Sequence, residues 1–242
     1  MAGSVGDSKS PLRSHRTAGG GNVATVLTRS LWPHKSVYDV SVFVTLEGPE
    51  GAGKSTLMRD LASRLEAGGD EVVTTREPGD SRLGLMLRPI LLEGGSLDPK
   101  AELLLFLADR AQHVSEIVRP ALERGALVLC DRYVDSTLAY QGYGRGIDLD
   151  TLGSWNDFAT GGLLPDLTLL LDIEPSNGLL RVQNKDRLDS EPLEFHLKVR
   201  NGFLAQAARN PSRWVTLDAS QAFETVALAA YHAIAERRMD TL

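Results

Sequence analysis

The sequence has almost no cysteine and no long hydrophobic run. Its single cysteine, Cys130, excludes a disulfide within the chain, and it stands in the apolar run 126–130, as a small buried residue does. No apolar run approaches the ~20 residues that a membrane-spanning helix requires. We therefore predict that the protein has no membrane partner. The absence of an internal disulfide fits a reducing compartment, and we predict the cytoplasm.

Basic residues are too few to balance the acidic ones. The chain has 26 Lys and Arg against 32 Asp and Glu, a net charge of −6. An acidic surface argues against a nucleic-acid partner, because phosphate backbones repel it. Any anionic ligand must be held by local clusters of arginine and lysine.

The first 40 residues lack the apolar pattern of a packed element. They contain Gly19–Gly21, scattered serines, and five basic against two acidic residues. We predict a largely disordered N-terminal extension over residues 1–40 and one domain over residues 41–242. Because the segment is rich in Arg and Ser and poor in acidic residues, the alternative is that it is a transit peptide. The protein would then be located in an organelle.

From Val42 onward, predicted strands and helices alternate. The strands cover Val42–Leu46, Glu71–Thr75, Ala126–Cys130, Leu167–Leu171 and Trp214–Leu217. The helices cover Lys54–Ala67, Arg82–Leu92, Pro99–Arg124, Asp150–Ala159, Ser176–Val182, Glu191–Ala208 and Ala222–Glu236. Several strands are continuous apolar runs, as expected when both faces of a sheet are covered. The sequence predicts an α/β fold with a doubly wound, parallel, five-stranded sheet flanked by helices.

A phosphate-binding loop joins the first strand to the first helix. Its residues fit G-x-x-x-x-G-K-[ST] and are Gly48, Pro49, Glu50, Gly51, Ala52, Gly53, Lys54 and Ser55, with Thr56 following. In this context, backbone N–H groups and the helix N-terminus bind phosphate oxygens. Lys54 is expected to reach the β- and γ-phosphates and Ser55 to ligate Mg²⁺. The sequence thus predicts a site for nucleotide phosphates and the P-loop NTPase fold.

Charged residues follow two further strands. Asp131 and Arg132 come directly after the third strand, where a carboxylate can hold Mg²⁺ and a guanidinium can bind phosphate. Arg76 follows the second strand and suggests, with Arg132, a second anion site. The alternatives are a capping aspartate and solvated arginines.

Two further groups of residues carry weaker signals. Phe106 and Arg110 lie four apart on one predicted helix face, where a ring can stack on a base and a guanidinium can bind its edge; a core Phe with a solvated Arg is the alternative. The charged stretch Arg181–Asp189 suits a lid over ATP phosphates, with Arg187, then Arg181, then Lys185 as candidate catalytic cations. A solvated loop, with Arg187 paired to Asp186 or Asp189, is the alternative.

Taken together, these motifs resemble the thymidylate kinase family. The matching stretches are 43–48, Thr75–Gly79, Phe106–Arg110, Asp131–Ser136, Ala139–Gly142, Leu164–Thr168 and Asp186–Asp189. The resemblance runs from about Val42 to Ala235, with motif order and spacing maintained. It implies transfer of the γ-phosphate of ATP to dTMP, a step in dTTP synthesis, and a homodimer.

The resemblance also implies roles for individual residues. Glu50 would contact the 3′-hydroxyl of dTMP, and Arg76 and Arg132 would hold its phosphate. Phe106 would stack on thymine and Arg110 would bind its O4. The other implied substrate contacts are Ser136, Tyr140 beside the 2′ position, and Gln141 near the base. Asp131 would lie near Mg²⁺.

The chain departs from the family pattern in two places. The phosphate-binding loop contains no arginine. In this it resembles the bacterial class of the family, in which the lid carries the catalytic arginine. Asp189 stands where the family usually has Glu. Another P-loop nucleoside or nucleotide kinase and a non-catalytic ATP-binding switch remain alternatives, although a switch does not need a second anion site.

Overall fold

The computed structural model describes residues 41–240, so the predictions for residues 1–40 lie outside this range. Its sheet has five strands, all parallel, in the order β2-β3-β1-β4-β5. The strands are β1 Phe43–Glu47, β2 Val72–Arg76, β3 Leu127–Asp131, β4 Leu167–Asp172 and β5 Trp214–Asp218. The predicted doubly wound parallel sheet is confirmed, with strand bounds within about one residue.

Helices connect the strands as right-handed crossovers require. They are α1 Lys54–Ala67, α2 Arg82–Leu92, α3 Pro99–His113, α4 Arg119–Glu123, α5 Val134–Thr137, α6 Leu149–Thr160, α7 Pro175–Arg181, α8 Leu193–Arg209 and α9 Phe223–Asp240. There are also two π-helical segments. Val114–Val118 lies between α3 and α4, and Leu138–Gly144 follows α5. Within residues 41–240, no helix is long and apolar enough to cross a bilayer.

Both faces of the sheet are covered, which explains the apolar strands. Leu46 of β1 packs in a cluster with Leu57 of α1 and Ala230 of α9. Phe43, from the same strand, packs on the other side with Tyr133, its ring centroid 4.9 Å away. Cys130 is buried in this second cluster as a free thiol, as predicted. Alternate residues of one strand therefore serve two cores.

The predicted helix Pro99–Arg124 is wrong as an uninterrupted α-helix. The helical path continues, but π-helical Val114–Val118 separates α3 from α4. Pro120 has no N–H to donate and its ring clashes with the carbonyl four residues earlier. The wider π turn, in which the N–H of Arg119 bonds the carbonyl of Val114, accommodates the helix around that proline.

Helical structure from Val134 to Gly144 was missed by sequence analysis. The stretch is rich in Ser, Thr and Gly, which are weak helix formers. Tertiary packing overrides that preference, because Tyr140 meets the rings of Phe195 and Phe203 edge-on at 6.1 Å. Gly144 permits the close approach to α8, since a Cβ there would lie 2.6 Å from Phe195.

Candidate active site

The carboxyl ends of three adjacent strands form the floor of a large cleft. In the sheet register, Asp131 of β3 is opposite Leu46 of β1 and Arg76 of β2. The cleft has a volume of about 650 Å³, enough for more than one small ligand. Predicted residues that line it are Glu50–Thr56, Arg76, Phe106, Arg110, Asp131, Arg132, Ser136, Tyr140, Gln141 and Arg181. One surface thus brings together most of the predicted site.

Gly53 gives the phosphate-binding loop its turn into α1. It caps α1 in the left-handed region at φ 95°, a conformation that favours glycine. The Lys54 ammonium donates to the carbonyls of Gly48 and Pro49, both at 3.0 Å. The pKa of Lys54 is lowered by burial and by the charge of Arg132. The loop therefore holds a buried cation at the floor of the cleft.

Ser55 and Asp131 are in direct contact. The Ser55 Oγ donates to Asp131 Oδ2 at 2.7 Å. Two adjacent oxygen donors of this kind fit Mg²⁺, which takes few protein ligands and completes its shell with phosphates and water. Residues 41–240 contain no group of three or more His, Cys, Asp or Glu that could hold a metal ion.

Arg132 lines the cleft in a strained backbone conformation. Its φ of 72° is left-handed, which is rare without glycine and typical of functional sites. Its guanidinium pairs with Glu50 at 2.6 Å and lies 5.0 Å from the Tyr140 ring centroid. The Tyr140 hydroxyl also donates to Glu50. Burial acts to raise the pKa of Glu50, but the charges of Arg132 and Lys54 outweigh it and lower that pKa.

Two further arginines, Arg76 and Arg88, line the same cleft. Arg76 is 49% exposed and ion-paired with Asp80 at 3.1 Å. Arg88 of α2, which sequence analysis missed, also lines the cleft and donates to the carbonyl of Pro78. Burial and the charge of Arg76 lower the pKa of Arg88. Its only sequence signal is an arginine inside the otherwise apolar stretch that follows Arg82 in helix 82–92.

Phe106 and Arg110 lie on the same wall of the cleft, as predicted from their spacing. Phe106 is partly buried, whereas Arg110 is 2% exposed. Four groups hold the guanidinium: Glu77 at 2.8 Å, Thr137 at 2.6 Å, Asn156 at 2.5 Å and the carbonyl of Tyr133 at 3.0 Å. This network makes Arg110 a rigid part of the cleft wall. Glu77 also contacts His113 at 2.8 Å.

Two buried glutamates, Glu47 and Glu102, bind the side chains of the predicted site residues Ser136 and Gln141. Ser136 Oγ lies 2.6 Å from Glu47 Oε2, and Gln141 Nε2 donates to Glu102 Oε1 at 2.8 Å. Burial and the charge of Asp135 raise the pKa of Glu47 to about 8. Sequence analysis missed Glu47 and Glu102. Their only signal in the sequence is that each is an acidic residue beside an apolar run.

The candidate lid cations are in different environments. Arg181 lines the cleft at the end of α7 and donates to the carbonyl of Ala219 at 3.4 Å. Arg187 points instead to Glu102, at 2.7 Å, and is absent from the cleft lining. Lys185 is exposed. Asp186 and Asp189 bond each other's backbone N–H groups rather than Arg187.

Comparisons with known proteins agree with this geometry. The sequence model of the thymidylate kinase family matches residues 46–229. A thymidylate kinase of Desulfovibrio desulfuricans is 54% identical over 205 residues, covering 80% of this chain and 94% of that protein. One of Thermomicrobium roseum is 51% identical over 201 residues, covering 81% and 96%.

A solved structure shares the fold. The crystal structure of thymidylate kinase from Ehrlichia chaffeensis has a TM-score of 0.67 and 35% sequence identity. The match covers 81% of this chain and 99% of that one. The family match over residues 46–229 contains the phosphate-binding loop, the strand-end arginines Arg76 and Arg132, and the charged stretch Arg181–Asp189. The chain belongs to the thymidylate kinase family.

Proposed function

We propose that the cleft transfers the γ-phosphoryl group of ATP to dTMP, giving ADP and dTDP for dTTP synthesis. As a member of this family, the chain is a phosphotransferase. The observation that carries the site assignment is one cleft in which a phosphate-binding loop faces a second group of arginines and an aromatic wall. A switch that binds only ATP has no use for the second half of that cleft.

The donor half consists of the phosphate-binding loop and the start of α1. Backbone N–H groups at this helix start, with Lys54, are placed to bind the β- and γ-phosphates. Ser55 and Asp131 would hold Mg²⁺, which when bound neutralises phosphate charge. Ala219, Gln221 and Phe223 line the same cleft and are suited to contact the rest of ATP.

The acceptor half consists of Arg76, Arg132 and the aromatic wall. Arg132 and Arg76 would hold the dTMP phosphate, and Glu50, fixed by Arg132 and Tyr140, would accept from the 3′-hydroxyl. Phe106 would stack on thymine, with Arg110 at its edge. Ser136, Tyr140 and Gln141 complete this half of the cleft.

Catalysis then depends on position and charge rather than on a protein nucleophile. An oxygen of the dTMP phosphate attacks the γ-phosphorus, and the bond to the β–γ bridging oxygen breaks as ADP leaves. Both reactants are anions, so Lys54 and the arginines must offset their repulsion. Among lid cations we assign the phosphoryl contact to Arg181, because it lines the cleft and Arg187 does not.

We also propose a homodimer and a cytoplasmic location. Trp155 and Phe158 of α6 are 43% and 90% exposed and lie three residues apart on one helix face. Large exposed apolar side chains of this kind are suited to contact a second copy. Sedimentation of the purified chain measures the oligomeric state directly.

A coupled assay of ADP release tests the function. With ATP and Mg²⁺, dTMP is expected to react far faster than dGMP, dCMP, GMP or AMP, because the Phe106–Arg110 wall is assigned to thymine. Turnover of GMP without turnover of dTMP would favour another nucleotide kinase. ATP binding without turnover of any monophosphate would favour the switch.

A further inference from the structure

We propose that Arg187 is a positioning residue that joins the lid to the base side of the cleft through Glu102 and Gln141. The inference rests on the proposed function, since it assigns thymine to that side. It gives Arg187 a role different from the phosphate contact that its sequence context predicts.

Arg187 ties the lid to the end of α2. Its backbone N–H donates to the carbonyl of Leu92 at 2.8 Å, and its Nε donates to the carbonyl of Leu91 at 3.0 Å. The last carbonyls of a helix have no partners within the helix and carry partial negative charge. Arg187 satisfies two of them, one through its backbone N–H and one through its guanidinium, and so holds this part of the lid in a defined place.

The same guanidinium reaches a buried carboxylate. Glu102, 1% exposed near the start of α3, has its Oε2 2.7 Å from Arg187 Nη2 and 3.2 Å from Arg145 Nη2. Its other oxygen accepts from Gln141 at 2.8 Å. Burial acts to raise the pKa of Glu102, but the hydrogen bond from Gln141 and the contacts with Arg145 and Arg187 lower it overall. The carboxylate is therefore anionic at neutral pH.

This contact connects the lid to residues assigned to the base. Gln141 lines the cleft. Glu102 lies one turn before Phe106 and two turns before Arg110 on α3, so the three share a face. Leu188, next to Arg187, packs in the same apolar cluster as Tyr140. Removing Arg187 leaves part of the Glu102 charge uncompensated in a buried site, which disturbs Gln141 as well as the lid.

Steady-state kinetics distinguish a positioning role from a phosphate contact. Arg187→Ala is expected to raise the KM for dTMP about tenfold, within the usual range of coupling between sites, and to change kcat and the KM for ATP less than about threefold. Arg187→Lys should recover part of the loss, because it keeps a charge for Glu102 but loses the guanidinium fork. Arg181→Ala should do the reverse, lowering kcat with little change in the KM for dTMP.

A matched control removes an arginine ion pair elsewhere. Arg124 pairs with Glu71 at 2.7 Å on the surface, with both side chains about half exposed. Arg124→Ala is expected to leave all three constants unchanged, because exposed pairs contribute little.

Hydrogen exchange tests the connection without catalysis. In the wild type, dTMP alone should slow exchange of the amides at 186–189, by about tenfold if coupling is of the usual size. In Glu102→Gln the slowing should fall below about twofold, because the neutral amide no longer attracts Arg187. Arg187→Gln gives the same measurement if Glu102→Gln does not fold.

Two results would overturn the proposal. One is a hundredfold loss of kcat in Arg187→Ala with an unchanged KM for dTMP, which would make Arg187 a phosphoryl contact. The other is lid protection by dTMP that is the same in the wild type and Glu102→Gln. A wild-type chain that does not phosphorylate dTMP would instead contradict the proposed function.

Discussion

Buried ionisable side chains define the site of this protein more than its apolar residues do. Lys54, Glu47, Glu102 and Arg110 are all less than a tenth exposed. A buried charge is unfavourable unless hydrogen bonds and opposite charges compensate it. Each of these four has such partners, so each side chain is held in place before a substrate binds.

Lys54 carries the first prediction. Lys54→Ala should lower kcat about 10²–10³-fold, because it removes a buried cation from the place where phosphoryl charge develops. Lys198→Ala is the matched control: Lys198 is 54% exposed and pairs with Glu194 four residues earlier on α8, so its loss should leave kcat unchanged. Initial rates with saturating ATP and dTMP give the comparison. A well-folded Lys54→Ala enzyme with normal kcat would refute the assignment.

Glu47 carries a prediction about pH. Its pKa of about 8 in the folded state is above the ordinary 4.5, so between these values the folded chain binds more protons than the unfolded chain. The stabilisation is fully present below pH 4.5 and is lost as pH rises through 8. In the wild type, the backbone N–H of Tyr133 donates to Glu47 Oε1 at 2.8 Å. Glu47→Gln cannot ionise but keeps an oxygen that can accept this hydrogen bond.

The wild type should therefore lose stability relative to Glu47→Gln between pH 5 and pH 9, on the order of a few kcal/mol. Urea unfolding of both proteins across this interval measures the difference in the free energy of unfolding. Parallel pH profiles for the two proteins would show that Glu47 does not titrate in this range.

At the scale of helices and loops, the phosphate-binding loop and α7 pack very closely against each other. A Cβ on Gly51 would lie 2.0 Å from the carbonyl oxygen of Gly178, and a Cβ on Gly178 would lie 2.2 Å from that of Glu50. No real Cβ comes so near to backbone. Since Arg181 ends α7, this contact holds the helix that carries Arg181 against the phosphate-binding loop.

Gly178→Ala is therefore expected to displace the loop and to lower kcat/KM for ATP about tenfold or more, a loss of ~1.4 kcal/mol or more in transition-state stabilisation. Gly153→Ala in α6 is the matched control, because its Cβ would meet nothing within 4 Å. It should keep normal kinetics and gain about 0.4–1 kcal/mol of stability. Initial rates at varied ATP, with melting temperatures, test both. Equal kinetics in the two variants would show that the contact is not functional.

Sequence patterns predicted most elements because their signals are local. The motif 48–55 and the apolar strands needed no long-range information. The π-helical segments did need it: Pro120 shows where regular hydrogen bonding fails, but not how the helix continues. The helical path 134–144 depends on Phe195 and Phe203, which are distant in sequence, so local propensity could not indicate it.

At the level of the whole molecule, the sequence predicted which residues meet but not how they pair. The strand-end rule placed Arg76, Asp131 and Arg132 together. It could not show that Arg187 binds Glu102 across 85 positions, or that Arg88 joins the cleft. Such pairings depend on side-chain geometry within the finished fold. The roles of individual site residues remain predictions for the experiments above.

The last prediction concerns the chain as a whole. The family match begins at residue 46, and the apolar clusters of residues 41–240 are built from Val42 onward. The segment 1–40 has a composition unsuited to adding a core of its own. Deleting residues 1–39 should therefore leave kcat within about twofold and the melting temperature within about 2 °C, since a change of 1 kcal/mol corresponds to roughly 2–4 °C in a domain of this size.

Rates and thermal unfolding of the full chain and the shortened chain, compared at equal concentration, measure this. Truncation at residue 52 instead removes β1 and most of the phosphate-binding loop, and it should abolish both folding and activity. A large drop in melting temperature on deleting 1–39 alone would mean that the segment packs on the domain, and a loss of kcat without that drop would place part of it at the cleft.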